Sequence, residues 1–530
     1  MFSRIALKLN TFLSKLLKGM FNFILILNSY IVPIRILDRI LCRPHLPPSL
    51  NIRFLSMINP YSFDLISRKK ALFVFRRASK FVPAYKKFLS SREIDSKKVN
   101  NIKKFNETVP QTDKENYVKI FPMADRCING RLPKTGYLDE SSGSTGISVD
   151  WIRSVEEEKP YMLQIRPIIN YLYEIKKKKQ YVLMNGFILG VWAGGRRFLN
   201  HVGPIGIVKN IGPDAKMIVQ SISELGPKYI YIIGGYPTLL REVVESGNAM
   251  NGFDWKKHDV HLFTGGEGFS EKWREYVKFH LGEKSKIFSM YGALDLELGM
   301  ALETPLSLAV RKILNDDIDL RKDVLSDDRY PCYIGQYSPL NCYIRESINK
   351  NRKKEIEITL LNISSVSPKI KYNINDEGGV FRFDTLQNIL KEKGIDIYDL
   401  VKENTNTKVL HMPFLYLFGR SDGSVTIDGA LIFPSDVKET ISSDEELSST
   451  INSFRLYTEM DDSYKTHLHI YLETKEDVKT TKSLSEKCQD LIFNRMINSN
   501  PCFRHSYEND PERAKPVIHV CAFKTGIFEN

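Results

Sequence analysis

The sequence has little cysteine and lacks several signatures that would narrow its function. Its seven cysteines in 530 residues include no CxxC pair and no spacing typical of zinc ligands or a disulfide framework, so we expect a cytoplasmic protein. There is no GxxxxGK[ST] motif, which disfavours an ordinary P-loop NTPase. RNA-binding and helix-turn-helix signatures are also missing, and we expect no nucleic-acid partner. The formal net charge of +13 fits an anionic ligand such as a nucleotide or CoA, or an acidic membrane face.

Long apolar runs are missing as well. Residues 1–50 form a basic amphipathic arm with a single acid, Asp38, and its apolar run Met20–Leu27 is shorter than the ~20 residues that span a bilayer. The segment contains no small-residue cleavage site of the kind that ends a secretory signal peptide. Two interpretations stay open: a helical arm packed on the main body, or an interfacial helix that brings residues 1–45 into peripheral contact with the inner face of a membrane.

What the chain does contain is a serine- and glycine-rich hexapeptide, SSGSTG, between two extended runs. Glycine lets backbone N–H groups approach an anion, and hydroxyl side chains add donors, so this composition suits the binding of phosphates. Taken alone, such a segment is more often a surface turn. The residues in question are Ser141, Ser142, Gly143, Ser144, Thr145 and Gly146.

Short apolar runs alternate with helix patterns along the middle of the chain, which predicts an α/β fold. The predicted strands end at glycine or polar turns, where ligand sites lie in α/β proteins. Two charge-dense segments, Arg311–Arg329 and Glu346–Lys354, are predicted to be loops. The predicted strands are Tyr181–Met184, Lys228–Ile233, Val260–Phe263 and Lys286–Met290.

Four candidate site segments follow predicted strands, and each of them alone is typical of an ordinary turn. The first contains adjacent glycines, the second contains an aromatic ring and a carboxylate, and the last two contain a carboxylate in a predicted turn. They are Thr264-Gly265-Gly266-Glu267, Tyr291-Gly292-Ala293-Leu294-Asp295, Asn373–Gly379 with Asp376, and Gly419-Arg420-Ser421-Asp422-Gly423.

The order of these motifs resembles the adenylate-forming superfamily, which includes acyl-CoA ligases. Within it the sequence is most similar to phenylacetate–CoA ligase and related capsule-biosynthesis proteins. The likeness covers about residues 100–440 and begins at Val109-Pro-Gln-Thr-Asp-Lys114. It continues through SSGSTG, TGGEGFSEKW, YGALD, IKYNINDEGG and GRSDGSVTIDGALIFPSDVKETI.

The resemblance implies ATP-dependent activation of an aryl or acyl carboxylic acid as an acyl-adenylate, followed by transfer to CoA or another acceptor, in polysaccharide or natural-product biosynthesis. It implies that the Ser141–Gly146 segment holds the ATP phosphates and that Gly265, Gly266, Glu267, Tyr291 and Gly292 surround adenine. Asp376 and Arg420 would hold the ribose. Asp295 would bind Mg²⁺, although relatives usually carry glutamate there.

The same resemblance implies a large N-terminal body of several α/β subdomains, residues 51–421, and a small mobile C-terminal α/β domain, residues 422–530. Asp422 would be the hinge. Relatives place a catalytic lysine after the last strand; Lys524 is the candidate here, outside the usual glycine-lysine context. Two hypotheses therefore remain: an active ligase, and a non-catalytic nucleotide-binding or scaffold protein that keeps the fold.

Overall fold

A computed structural model of the chain describes residues 2–41, 47–141, 149–190, 193–296, 299–401, 408–427, 430–461, 465–509 and 511–529. Helices and strands alternate over most of its length. The expected α/β class is confirmed, with a large body followed by a smaller α/β unit.

Six α-helices precede the first strand in the described chain, together with two short helical turns at Lys114–Val118 and Ile128–Gly130. Several of the α-helices begin with proline, whose missing N–H is no loss at a helix start. The first two pack on the next two around Leu25, Leu37 and Ile52, so the arm lies on the body. No helix among the described residues is long and apolar enough to cross a membrane. The helices are α1 (Phe2–Ile31), α2 (Ile34–Leu41), α3 (Pro48–Met57), α4 (Pro60–Phe81), α5 (Pro83–Ser90) and α6 (Ile102–Thr108).

A two-stranded hairpin follows. Strands β1 (Gly136–Ser141) and β2 (Val149–Ser154) are antiparallel, with Ser141 opposite Val149. Helix α7 (Val155–Tyr173) begins directly after β2, where the Ser154 hydroxyl accepts a hydrogen bond from the Glu157 N–H at 3.2 Å. The hairpin therefore holds the start of the serine-glycine segment, at Ser141, in a defined place.

An eleven-stranded sheet forms the centre of the body. Its strands are β3 (Tyr181–Asn185), β4 (Ile207–Asn210), β5 (Ile230–Gly235), β6 (Asp259–Gly265), β7 (Ile287–Tyr291), β8 (Ala301–Leu302), β9 (Tyr333–Tyr337), β10 (Cys342–Ile348), β11 (Lys354–Leu360), β12 (Tyr372–Phe381) and β13 (Phe414–Arg420). Their spatial order is β10-β11-β12-β13-β9-β8-β7-β6-β5-β3-β4. The half from β7 to β4 is parallel and the other half is antiparallel.

Helices cover the sheet. They are α8 (Ala193–Val202), α9 (Ala215–Leu225), α10 (Pro237–Ala249), α11 (Glu271–Leu281), α12 (Pro305–Asp316), α13 (Ile318–Leu325) and α14 (Phe383–Glu392). Helix α11 begins after Ser270, whose hydroxyl caps it by accepting a hydrogen bond from the Trp273 N–H. Buried side chains of α9, α10 and α11 form one core with strands β3, β5 and β6, and those of α7 and α8 form another.

Two local predictions were wrong and one was partly right. Arg311–Arg329 is mostly helix, α12 and α13, and not a loop; Arg311 is buried because Glu303 neutralises it. Within Glu346–Lys354, residues 349–353 are the predicted loop, whereas the residues before them end β10 and Lys354 begins β11. Asp376 lies within strand β12 and not in a turn; a register shift at the next residue, Glu377, breaks the ladder there.

The C-terminal residues form a smaller α/β unit with its own core around Leu468, Ile470 and Ile492. A three-stranded sheet of order β16-β17-β18 carries it. The elements are β14 (Val425–Ile427), β15 (Ala430–Ile432), α15 (Pro434–Ser443), α16 (Glu445–Thr450), β16 (Ile451–Met460), β17 (Thr466–Thr474), α17 (Lys482–Ser499), α18 (Pro501–Asn509), α19 (Pro511–Ala514) and β18 (Val517–Cys521).

Candidate functional site

The carboxyl ends of β6 and β7 form the floor of the candidate site. The two strands are parallel, so Gly265 and Tyr291 end at the same edge, with Gly265 opposite Met290. A Cβ on Gly265 would lie 2.8 Å from the Met290 carbonyl oxygen, so a side chain there would push the strands apart. Gly266 follows with φ of +88°, which favours glycine, and is exposed. At this edge the backbone of Gly266 is therefore exposed, whereas that of Gly265 is buried.

Glu267 and Gly292 follow directly on these strand ends. Both are partly exposed, and Gly292 lies between Tyr291 and the turn that carries Asp295. The structure thus places the five residues predicted to surround adenine, Gly265, Gly266, Glu267, Tyr291 and Gly292, along one edge of the sheet.

A hydrogen-bonded cluster joins this edge to the antiparallel half of the sheet. The Tyr291 hydroxyl donates to Asp376 Oδ2 at 2.5 Å, and Arg420 Nη1 donates to Asp376 Oδ1 at 3.1 Å. Asp376 and Arg420 are opposite each other in the β12–β13 ladder, which sets this pairing. Residues from three strands are therefore brought together at one point.

The charges of this cluster are coupled. Burial raises the pKa of Asp376, although Arg420 and the Tyr291 hydroxyl act against that. Burial and the nearby Asp376 carboxylate raise the pKa of Tyr291. Burial acts against the charge of Arg420, but Asp376 and Asp422 raise its pKa above the usual range. A carboxylate held this way can accept hydrogen bonds from two vicinal hydroxyls.

Asp422 lies in the turn directly after β13, next to Gly423 with φ of +77°. Its carboxylate accepts hydrogen bonds from the Ser424 hydroxyl at 2.6 Å and from Arg420 Nη2 at 2.7 Å. Although burial opposes it, the Arg420 charge lowers the pKa of Asp422, so this carboxylate is ionised. The turn joins the ladder at Arg420 to β14, where the C-terminal unit begins.

Four cations surround Asp295 and Trp151, and we call Lys114, Arg126, Arg153 and Lys369 the cationic group. Lys114 Nζ lies 3.4 Å from Asp295 Oδ2, and Arg153 Nη2 donates to the Leu294 carbonyl at 2.8 Å. Lys369 Nζ and the Arg126 guanidinium carbon lie 4.7 and 5.9 Å from the centre of the Trp151 ring.

Lys369 is the most perturbed member of the cationic group. Burial, followed by the charges of Arg126 and Arg153, lowers its pKa to about 7. Arg153 pairs with Asp139 at 3.0 Å and Lys114 with Asp295, and the charges of Glu157 and Asp295 act against the lowering of the Lys369 pKa. The repulsion that a bound anion would relieve is therefore centred on Lys369 and Arg126. The arrangement is suited to a highly charged anion such as a polyphosphate.

The cationic group lies next to the start of the serine-glycine segment. The Trp151 indole Nε1 donates to the Ser141 hydroxyl at 2.8 Å across the β1–β2 hairpin. Trp151 itself is 2 % exposed and packs edge-on against Tyr372. The predicted phosphate ligands Ser142, Gly143, Ser144, Thr145 and Gly146 lie outside the described residues.

Asp295 can supply one ligand to a metal ion. Its Oδ2 accepts from the Tyr372 hydroxyl at 3.1 Å, in addition to the pairing with Lys114. In the described parts of the chain, no three His, Cys, Asp or Glu side chains come together as a metal-binding group. Mg²⁺ that arrives with ATP usually needs only one or two carboxylates besides the phosphate oxygens, so Asp295 fits that use.

Aromatic rings pack together just beyond the carboxyl ends of β3 and β5. Phe187 packs against Phe198 and Tyr236, with ring centres 5.5 and 5.3 Å apart. Gly234 is required beneath them, because a Cβ there would lie 2.5 Å from the Phe198 ring.

The candidate catalytic lysine lies in the C-terminal unit. Lys524 is exposed, and its φ is +53°. Its backbone N–H donates to Glu473 Oε1 at 3.0 Å, and its ammonium lies 5.0 Å from the centre of the Phe523 ring. Both partners belong to the same C-terminal unit as Lys524.

Sequence reasoning missed the cationic group and a buried ion network beneath β7. Glu303, which is fully buried, accepts from Arg274 at 2.7 Å, from Arg311 at 3.2 Å and from the Ser289 N–H at 2.7 Å. This network fixes β7, and with it Tyr291. The lysine at the end of the quoted Val109–Lys114 motif is a signal that could have pointed to the cationic group.

Comparison with known proteins gives a fold-level result. No protein-family model and no curated protein matches the sequence. A solved structure of 2-hydroxyisobutyryl-CoA ligase with 2-HIB-AMP and CoA, in the thioesterification state, aligns over 87% of this chain and 86% of that chain, with a TM-score of 0.60 and 13% identity. The chain has the adenylate-forming ligase fold.

A second structure of the same ligase, in the postadenylation state with R3-HIB-AMP, gives a TM-score of 0.51 at 13% identity, again over 87% of this chain and 86% of that chain. The ligase fold accounts for the large body followed by a smaller α/β unit.

Proposed function

We propose that the protein activates a carboxylic acid, aryl or acyl, with ATP and transfers the acyl group to CoA or another acceptor. The single observation that carries this is the Tyr291–Asp376–Arg420 cluster at the glycine edge of β6 and β7, on a ligase fold. A carboxylate with a paired arginine beside an open backbone edge is suited to hold a ribose below a base.

In the proposed reaction, a carboxylate oxygen of the acid attacks the α-phosphorus of ATP and the bond to the pyrophosphate oxygen breaks. The thiol of CoA then attacks the acyl carbonyl carbon, and AMP leaves. Both steps concentrate negative charge on phosphate groups, and fixed cations stabilise such charge. The cationic group and the Ser141–Gly146 segment are the proposed pyrophosphate ligands, and Asp295 is the proposed ligand of Mg²⁺ carried by ATP.

The phenylacetate–CoA ligase and capsule-biosynthesis branch is our proposal for the subfamily, on the motif order between Val109 and Ile441. We further propose the hinge at Asp422 and the domain boundary at residues 421 and 422. Asp422 accepts hydrogen bonds from Arg420, at the end of β13, and from Ser424, just before β14. These bonds support a hinge at Asp422, because they hold the turn between the two units at one residue.

A non-catalytic nucleotide-binding or scaffold protein is the second candidate. One observation favours it: Lys524, the candidate catalytic lysine, is exposed and contacts Glu473 and Phe523 within its own unit. Such a protein would bind ATP without breaking it.

ATP–pyrophosphate exchange with a panel of aromatic and fatty acids separates the two candidates. The ligase predicts exchange with at least one acid and its loss in Asp376→Ala, because each lost charge-assisted hydrogen bond costs about 1.5–3 kcal/mol, or roughly 10–100-fold. Asp384→Ala is the matched control, since Asp384 also pairs with an arginine, Arg382, at 2.7 Å but is exposed outside the site. ATP binding without exchange for any acid would favour the scaffold.

A further inference from the structure

Helix α1 has two apolar faces, and the body covers one of them. On the covered face, the Asn22 side chain donates to the Met57 carbonyl at 2.8 Å and accepts from the Asn59 N–H at 2.9 Å. Leu25 is buried, and the Ser29 carbonyl accepts from Lys69 Nζ at 2.6 Å. Specific hydrogen bonds therefore fix the rotation of α1 and decide which face looks outward.

The outward face of α1 is a continuous stripe of large apolar side chains. Its members fall within an arc of about 140° at 3.6 residues per turn, opposite the covered face. Two residues of α2, Ile36 and Ile40, are also exposed, by 50% and 39%. We call these ten residues the outer apolar stripe. The α1 members are Leu16 50%, Leu17 60%, Met20 55%, Phe23 67%, Ile24 53%, Leu27 50%, Tyr30 67% and Ile31 70% exposed.

A soluble helix normally turns charged side chains to water opposite its buried face. A run of ten large apolar side chains on the outside is instead typical of a surface that something covers. No described helix is long and apolar enough to cross a bilayer. The partner that covers the stripe must therefore contact α1 and α2 along their sides.

The charges around the stripe indicate that the partner is anionic. Arg35 and Arg39 are exposed on α2 beside Ile36 and Ile40. The arm's single acid, Asp38, pairs with the buried Lys70, so it does not offset these arginines.

We infer that the outer apolar stripe docks α1 and α2 flat on an anionic lipid surface, with the stripe in the headgroup and acyl boundary and the cations on the lipid phosphates. A second copy of the chain fits less well. A two-fold contact would bring the cations of one stripe towards those of the other, whereas anionic lipid neutralises them.

The stripe lies apart from the candidate site. Met412 packs beneath the arm, whereas strand β13 starts at Phe414 and reaches the site at Arg420, about 20 Å farther along the strand. Substitutions in the stripe are therefore expected to leave ATP binding and exchange unchanged. Failure of the membrane inference and failure of the proposed ligase function are thus distinguishable.

Co-sedimentation of the full chain with vesicles tests the inference. We expect binding to vesicles of phosphatidylcholine with roughly one-third phosphatidylglycerol, and at least about tenfold weaker binding to phosphatidylcholine alone or in high salt. The triple variant Met20→Gln, Phe23→Gln, Leu27→Gln removes three exposed side chains and should lose at least about tenfold in binding. Phe279→Gln, at a 72% exposed phenylalanine of α11, is the matched control and should bind as the parent does.

Two results would overturn the inference. One is that the parent chain binds neither kind of vesicle, or binds both equally. The other is that sedimentation velocity without lipid shows a dimer of the parent chain that the triple variant abolishes, which would make the stripe an interface between copies. Circular dichroism and ATP–pyrophosphate exchange of the triple variant show whether the body stays folded.

Discussion

If the protein binds ATP as proposed, the titration of Lys369 should make the affinity for ATP depend on pH in a specific way. In the free protein, burial and the charges of Arg126 and Arg153 lower the pKa of Lys369 to about 7. Bound polyphosphate would favour the charged ammonium and raise that pKa again. ATP binding is therefore expected to take up a proton at Lys369, and the affinity should fall as the pH rises through the pKa of the free protein.

The magnitude follows from the fraction of Lys369 that carries a proton. With a pKa of about 7, roughly a quarter of the free protein is protonated at pH 7.5 and roughly one per cent at pH 9. If only that form binds ATP well, the dissociation constant rises roughly 20-fold over this interval. Two titratable neighbours do not interfere: burial raises the pKa of Cys127 to about 11 and that of Tyr372 well above its usual value.

Isothermal titration calorimetry at pH 7.5, 8, 8.5 and 9 measures this slope. Lys369→Arg keeps the charge but does not titrate, so its affinity should stay constant with pH. Lys369→Met should bind weakly and equally at every pH. A parent protein with constant affinity, or an arginine variant with the parent's slope, would refute the reasoning.

Three further predictions concern the supports of the site. Glu303→Gln removes the buried counter-charge that Arg274 and Arg311 share and leaves them only the partly exposed Glu271, so we expect a loss of about 3–5 kcal/mol in urea unfolding; an unchanged midpoint would contradict the role of this ion network. Gly265→Ala should weaken ATP binding and cost about 1–3 kcal/mol, because its Cβ meets the Met290 carbonyl at 2.8 Å; binding and a melting temperature equal to the parent's would exclude this clash. Burial lowers the pKa of His261, so its contribution to stability is complete above about pH 6.5 and is lost as the pH falls; His261→Asn should flatten the melting temperature between pH 7 and 5, and an equally steep decline would rule His261 out.

Local patterns predicted the α/β class and, to within two residues, the ends of four of the parallel strands, β3, β5, β6 and β7. The periodicity of apolar residues and the glycines at strand ends depend on neighbours a few positions away, so the glycine turn at Gly265–Gly266 and the helix cap at Ser270 are readable without a fold. The same signals gave a wrong prediction where charged side chains pair in the interior. Arg311 was predicted to lie in a loop, because the local pattern does not show that Glu303, between β8 and α12, pairs with it.

The candidate site likewise combines features that short segments predict with features that depend on the fold. The alternation of elements, and the turns that carry glycine, aromatic and acidic residues, follow from backbone preference and amphipathicity, which are properties of short segments. The meeting of Tyr291, Asp376 and Arg420 does not follow from any short segment, since strand order and register bring three distant strands together. The tertiary structure also places Lys369 beside Trp151 with a lowered pKa, because burial and the charges of neighbours come from residues far away in the chain.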